Sequence, residues 1–276
     1  MDGQSRWVFM TSGNATDRDW PALLRTVLGV PAPDLEVRSV LPWQAEMLVA
    51  DRYSAGRVHL AGDAAHVMPP FAASGANTGI ADAHDLGWKL AAVLAGTADP
   101  TLLDSYEAER RPAGWFVADQ SARRTLDPGA APDPDLAHPF VLAAGGFQYR
   151  TGALRRSPAD EHDVEPVREF APAGRVGTRV PHVWLDAART RSTLDLGGPG
   201  WALVVADDPA RWAPAAAKAP VPLPVRRIDA DFLPPGQALL LRPDDVVAWR
   251  GGDESAPPRV LQELLRPERA VAGAPA

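Results

Sequence analysis

Along the 276-residue chain the spacing of hydrophobic positions changes character several times, and each change predicts an element. Arg6-Trp7-Val8-Phe9-Met10 is a short β-prone run. Asp17 to Gly29 has the signals of a short helix, with Asp17 or Asp19 as cap, Pro21 in the first turn and Gly29 as the stop. Leu35 to Ala50 alternates loosely and predicts one long or broken strand interrupted at Pro42. Gly56-Arg57-Val58-His59-Leu60-Ala61-Gly62-Asp63 predicts a short apolar strand ending in Gly-Asp. After Pro69 and Pro70, Gly75 opens a long helix that Gly96 closes, and Ile80, Ala83, His84, Gly87, Leu90, Ala91 and Leu94 fall at helical spacing, which predicts a buried stripe.

A further helix is predicted from Asp99-Pro100 to about Arg124, with Pro112 expected to kink or split it because proline removes a backbone donor and crowds the preceding turn. Residues 126–170, rich in Pro, Gly, Ala and Asp, predict a connector with one short element at 138–149. The remainder, 171–276, predicts a small α/β unit. Its strands are Thr193–Leu196, Trp201–Val205, Val225–Ile228, Ala238–Leu241 and Val246–Trp249, and its helices Ala210–Lys218 and Arg259–Leu265. The expected division is therefore 1–125, 126–170 and 171–276.

Composition narrows the function. With 46% hydrophobic and 23% charged residues the chain is an ordinary globular one. A net charge of -7 with acids and bases intermixed argues against nucleic acid as a partner. No run of about 18 apolar residues predicts a membrane span, and the amino terminus lacks the pattern of a secretory signal, so a cytoplasmic location is expected. There is no cysteine, which excludes disulfides, thiolate chemistry and a CxxC pair. The six histidines form no HExxH pattern or close ligand pair, so no metal site is expected.

The densest chemical signal is Gly62-Asp63-Ala64-Ala65-His66, then Pro69-Pro70, then Gly75-Ala76-Asn77-Thr78-Gly79-Ile80-Ala81-Asp82-Ala83. A strand ending in Gly-Asp presents a carboxylate at the end of a sheet where ligands bind in open α/β folds. A carboxylate there suits sugar-like hydroxyls. A glycine-lined helix start points unpaired N–H groups and the positive end of the helix dipole at an electron-rich group. Polyol at the strand end and ring at the helix start describe a flavin.

The stretch from Gly56 to Leu94 resembles the second FAD-binding motif of the class A flavoprotein monooxygenases, the aromatic-ring (phenol and polyketide) hydroxylases. The resemblance implies that Gly62 and Asp63 hold the ribitol, that Pro69 or Pro70 lies beside the flavin, and that Gly75, Ala76 and Asn77 face its pyrimidine. Where that family often has Gly-Gly or Gly-Gln, this chain has Ala72-Ala73-Ser74. Tyr106-Glu107-Ala108-Glu109-Arg110-Arg111-Pro112 resembles the family's following helix. Thr190–Leu196, Gly198-Pro199-Gly200 and Leu241-Arg242-Pro243-Asp244 resemble the thioredoxin-like tail of its phenol and polyketide branch, here without CxxC.

The implied fold class is α/β (α+β): a partial FAD-binding and substrate domain followed by a thioredoxin-like α/β domain. The implied activity is FAD-dependent, NAD(P)H-driven hydroxylation by O2 of a small aromatic or polyketide substrate. The family's opening GxGxxG unit, which holds the FAD pyrophosphate, has no counterpart here, nor has its Asp-Gly motif, so a truncated chain is expected. The alternative is an inactive fragment, or a subunit needing a separate N-terminal FAD-binding half; a homo-oligomer is also open. An oxidase or dehydrogenase using the same FAD motif is disfavoured by the tail.

Plainer roles stand beside these. Asp63 can cap a turn. His66 reads as a packed or solvent-facing histidine rather than a base. Asp82, His84 and Asp85 invite a metal, but His84 falls on the apolar stripe and reads as a core residue. Arg110 and Arg111 read as helix-surface or ion-pair groups, and most of the nine Trp as packing. Trp7 and Trp43 are candidates for lining a substrate cavity. No side chain is identified as a catalytic acid or base.

Overall fold

The computed structural model describes residues 5–11, 18–29, 35–125, 133–143, 148–157, 168–169 and 172–267. The chain forms two compact units, Met1–Gln44 and Ala45–Ala276.

In the first unit α1 spans Trp20–Leu28. Asp19 caps it by accepting from the Ala22 amide at 3.1 Å, and Gly29 ends it by donating to the Arg25 carbonyl. Of the two capping aspartates foreseen, Asp17 lies outside the described residues. The strand expected over Arg6–Met10 is absent, and that expected over Leu35–Ala50 is reduced to Leu48–Val49 in the second unit. A β-prone sequence becomes a strand only where another strand satisfies its backbone. Among the described residues none pairs with 6–10 or 35–47. Trp7 and Trp43 therefore sit on irregular backbone, 60% and 58% exposed.

The second unit opens with β1 (Leu48–Val49), β2 (Ser54–Ala55), β3 (Val58–His59) and β4 (His66–Val67). β2 and β3 form a tight antiparallel pair, and β1 pairs antiparallel with β4. The Gly-Asp step is not strand: Gly62–Ala64 is a single 3-10 turn between β3 and β4. Helix α2 runs Ser74–Leu94, and α3 runs Asp104–Thr125 after a 3-10 turn capped by Asp99. Pro112 does not split α3, which continues as one helix through it. A short α4, Pro139–Ala143, falls within the element expected at 138–149.

The last part holds β5 (Ala202–Val205), α5 (Pro209–Ala216), β6 (Val225–Arg227), β7 (Ala238–Leu241), β8 (Val247–Gly251) and α6 (Ala256–Leu265). The sheet order is β6-β5-β7-β8, with β5 and β6 parallel and the other pairs antiparallel. A βαβ unit followed by a hairpin and a helix in this order is the thioredoxin-like arrangement. Thr193–Asp195, expected as a strand, is a 3-10 turn closed by a capping box between Ser192 and Asp195. That local hydrogen-bonding offers the backbone a substitute for a ladder.

The strands Ala-Leu-Val-Val and Ala-Leu-Leu-Leu are apolar throughout because both sheet faces are covered. Ala202, Val204, Leu239, Leu241 and Val247 pack with Val176, Val180, Ile228 and Leu233. On the other face Leu203, Val205, Leu240 and Trp249 pack with α5 and α6, and with Trp88 of α2 and Leu102 beside α3. Trp88 meets Trp201 edge-on, ring centres 5.6 Å apart. The helices that carry the motif and the carboxy-terminal sheet thus share one core.

Candidate flavin-binding site

The Gly-Asp turn is held against α2 by backbone contact. Gly62 has φ +60°, and a Cβ placed on Gly79 would lie 3.1 Å from the Gly62 Cα. Two residues without side chains let the turn cross the second turn of the helix at this separation. Asp63 leaves the crossing point exposed, with no hydrogen-bond partner among the described residues.

Beneath the turn lies Asp82, fully buried. Its Oδ2 accepts from the Gly62 amide at 3.0 Å and from His66 Nε2 at 2.7 Å, while Oδ1 accepts from Arg110 Nε at 2.7 Å. Because a carboxylate only accepts, His66 carries its proton on Nε2. Arg110, also fully buried, spends its remaining donors on the Tyr149 hydroxyl at 2.9 Å and the Thr78 carbonyl at 3.2 Å. Burial opposes ionisation of Asp82, but the His66 hydrogen bond, the Arg110 charge and the Gly62 amide outweigh it and hold the carboxyl below its ordinary value.

The mouth of α2 is fixed from the other side. Ser74 Oγ lies 2.9 Å from Ser121 Oγ of α3, both buried. Ala72 and Ala73 enter the helix at φ 48° and 54°, the left-handed region that glycine adopts more cheaply. The amides of Gly75 and Ala76 donate to no acceptor among the described residues, as the first turn of a helix requires. Asn77 is half-buried there, Pro69 is buried in the approach and Pro70 is exposed. One locality thus gathers Gly62, Asp63, Gly75, Ala76 and Asn77. Trp7 and Trp43 belong to the other unit.

The buried face of α2 is the reverse of the one its hydrophobic spacing predicts. Ser74, Thr78, Asp82, Asp85, Trp88 and Lys89 are buried, whereas Ile80, Ala83, His84, Gly87, Ala91 and Leu94 are exposed. The expectation of a core His84 is corrected with them. Polar residues win the interior because each finds a charged or hydrogen-bonded partner there. Their spacing of three and four residues from Ser74 to Lys89 is itself a helical stripe, legible in the sequence but polar.

The second half of that stripe builds a buried ionic cluster. Lys89 Nζ donates to Asp85 and to Glu109 of α3, each at 2.8 Å. Arg242, beyond β7, reaches back to Glu109 at 2.9 Å, to Asp244 at 2.6 Å and to Asp85. Glu109 also accepts from the Ala153 amide at 2.6 Å; a Cβ on Gly152, at φ +113°, would overlap its side chain. Three carboxyls face two cations, an excess of one acidic group. Burial and the neighbouring Glu109 charge push Asp85 well above the usual carboxylate range despite Lys89 and Arg242. Asp244 is drawn down to about 2, the Arg242 charge and hydrogen bond overcoming its burial.

The run Tyr106 to Arg111 proves to be scaffolding, each polar group tying α3 to a different segment. Tyr106 donates to the Leu60 carbonyl at 2.6 Å, Glu107 accepts from the Tyr53 and Ser54 amides at 2.9 Å each, and Arg111 donates to the Ala50 carbonyl at 3.1 Å. Arg110 and Arg111 thus act as pairing groups between segments.

Residues 8–121 match the family described as FAD binding domain, and residues 173–275 match the family described as aromatic-ring hydroxylase, C-terminal. The chain belongs to the FAD-binding aromatic-ring hydroxylases. Among the curated aromatic-ring hydroxylases it is 41% identical over 268 residues to tetracenomycin B2 monooxygenase-dioxygenase of Streptomyces olivaceus, covering 88% of this chain and 48% of that protein. It is 38% identical over 274 residues to 4-methyl-5-nitrocatechol 5-monooxygenase of a Burkholderia species, covering 88% and 49%. Among solved hydroxylase structures, aklavinone-11 hydroxylase in complex with FAD and aklavinone superposes with a TM-score of 0.75 at 34% identity, over 89% of this chain and 50% of that one. The chain spans about half the length of the relatives it matches. No helix among the described residues is long and apolar enough to cross a membrane.

Proposed function

We propose that the chain supplies the ribitol- and ring-binding part of an FAD-dependent, NAD(P)H-driven monooxygenase that hydroxylates a polycyclic aromatic substrate of polyketide type. The observation that carries this reading is the Asp63 carboxylate near the Gly75 and Ala76 amides, none of them with a partner among the described residues, at the Gly62–Gly79 crossing. The donor set suits the flavin end of FAD. Asp63 accepts from polyol hydroxyls. The Gly75 and Ala76 amides and the α2 dipole favour the ring edge that gains negative charge on reduction. Pro69, Pro70 and Asn77 border that edge. When bound, the flavin supplies the redox chemistry: NAD(P)H, O2, a proton and an aromatic C–H become NAD(P)+, water and a phenol.

The substrate class rests on the relatives, whose names specify tetracenomycins, aklavinone and a nitrocatechol. Trp7 and Trp43, with open indole faces, are proposed as substrate contacts. The ADP half of FAD has no GxGxxG partner in this sequence, so the 276 residues alone are expected to purify with little flavin.

The test is oxygen uptake and formation of a product heavier by one oxygen atom, with NADPH, FAD and a phenolic polycyclic substrate. It is run on the chain alone and joined to the part of the tetracenomycin B2 enzyme outside the alignment. Turnover in the joined form that Asp63→Ala lowers at least tenfold supports the reading. Full flavin occupancy and turnover in the joined Asp63→Ala variant would sink it.

A further inference from the structure

The carboxy-terminal sheet has no cysteine and therefore no thiol chemistry, yet it reaches the Gly62–Asp63 turn through one side chain. Tyr149 belongs to the sheet by its backbone. Its amide donates to the Gly177 carbonyl at 2.9 Å, and the Gly177 amide donates in turn to the Val247 carbonyl of β8 at 2.9 Å. Gly177 has φ +88°, and a Cβ there would lie 2.2 Å from the Tyr149 carbonyl oxygen, so the two backbones run in direct contact. Arg156 closes the join by donating to the Tyr149 and Val176 carbonyls at 2.8 and 3.1 Å.

The side chain of Tyr149 belongs to the helices. Its ring is buried against Ala113 of α3 and Val246. The ring centre lies 5.8 Å from the Arg110 guanidinium carbon and 5.5 Å from that of Arg242. Burial pushes the hydroxyl well above the usual tyrosine range despite the Arg110 charge, so the group that accepts from Arg110 Nη1 is a neutral phenol. That bond helps to fix the guanidinium, whose Nε donates to Asp82 and whose Nη2 donates to the Thr78 carbonyl of α2. A guanidinium is a rigid planar fork, so its orientation sets where the Asp82 carboxylate sits. Asp82 in turn accepts from the Gly62 amide. A buried chain of bonds thus runs from the sheet through Tyr149, Arg110 and Asp82 to Gly62, the neighbour of Asp63.

We infer that Tyr149 is a positioning residue for the flavin turn, and that the carboxy-terminal sheet acts through it to hold Gly62 and Asp63 in place. The inference rests on the flavin reading for what the turn binds, and not for the chain of bonds. In a low-dielectric interior each hydrogen bond of a network strengthens the next, so loss of the phenol oxygen is felt at Gly62.

The experiment uses Tyr149→Phe, which removes that oxygen and keeps the ring against Ala113 and Val246. In the 276-residue chain, amide hydrogen exchange is expected to quicken at least fivefold at Gly62 relative to Leu203, whose amide, bonded within the sheet, reports on its unfolding. In the chain joined to the unaligned part of the tetracenomycin B2 enzyme, the FAD concentration for half-maximal binding is expected to rise at least fivefold, with kcat at saturating FAD within twofold of wild type. In the Asp63→Ala background the same substitution is expected to change FAD affinity less than twofold, because the two act through one contact. Gly62 exchange that keeps pace with Leu203 overturns the inference, as does an FAD loss that is equally large without the Asp63 carboxylate. A joined wild type that binds no FAD, with the Gly62 response present, keeps the tether and removes the flavin reading. An FAD loss in Asp63→Ala with none in Tyr149→Phe removes the positioning role and leaves that reading intact.

Discussion

The Gly62 amide donates to Asp82 Oδ2 at 3.0 Å, and this bond links the exposed turn that carries Asp63 to a carboxylate with no solvent contact. Asp82 is also the partner of His66 and Arg110. It therefore joins a candidate ligand group at the surface to the deepest charges between α2 and α3.

Replacing Asp82 should expose that coupling. Asp82→Asn leaves the Arg110 guanidinium buried without a counter-charge, which costs roughly 3–5 kcal/mol. Urea unfolding of the variant should show a loss in that range. Asp63→Asn, at an exposed position without a partner among the described residues, should change stability by no more than about 0.5 kcal/mol.

Gly79→Ala sets two effects against each other. Alanine gains about 1 kcal/mol over glycine in a helix interior, but its Cβ would meet the Gly62 Cα at 3.1 Å. The opposing atom is backbone and cannot rotate away, and overpacking costs about 1–3 kcal/mol. A net destabilisation with a displaced Gly62 amide resonance is expected.

At the mouth of α2 the strain has the opposite sign. Ala73 at φ 54° carries about 1–2 kcal/mol that glycine would not. Glycine gives back about 0.4–1 kcal/mol through the greater freedom of the unfolded chain. Ala73→Gly should therefore raise the midpoint of thermal unfolding by a small amount, read by calorimetry.

The raised Asp85 carboxyl in the Arg242 cluster predicts a pH dependence. Asp85 has a raised folded value, so between the unfolded carboxylate range and that value the native state binds the extra proton. Its contribution to stability falls as pH rises through this window and is flat above it. Asp244, drawn down to about 2, contributes in the other direction: its stabilisation is present above the unfolded value and is lost as pH falls towards about 2. Asp85→Asn leaves two carboxylates facing two cations and should remove the falling part of the profile. The gap in melting temperature between variant and wild type should shift in the variant's favour from acid to neutral pH. Glu109→Gln strips the carboxylate held between Lys89 and Arg242 and should cost roughly 3–5 kcal/mol at neutral pH.

Local chemistry was legible wherever a residue acts on its own neighbours. Asp19, Pro21 and Gly29 fixed α1, the apolar runs at 202–205 and 238–241 marked strands, and Gly75–Asn77 pointed to a helix mouth, whereas the Gly62–Asp63 step, expected as a strand end, is a 3-10 turn. Residues 6–10 and 35–47 misled because β propensity says nothing about whether a partner strand exists.

What only the tertiary structure decided is which side of α2 faces inward. Hydrophobic spacing chose Ile80 and Leu94; the fold chose Asp82, Asp85 and Lys89. A charge is excluded from the interior only while it lacks a partner. The partners of these three, Arg110, Glu109 and Arg242, lie 20 to 157 residues away in the sequence, where no local pattern can bring them together.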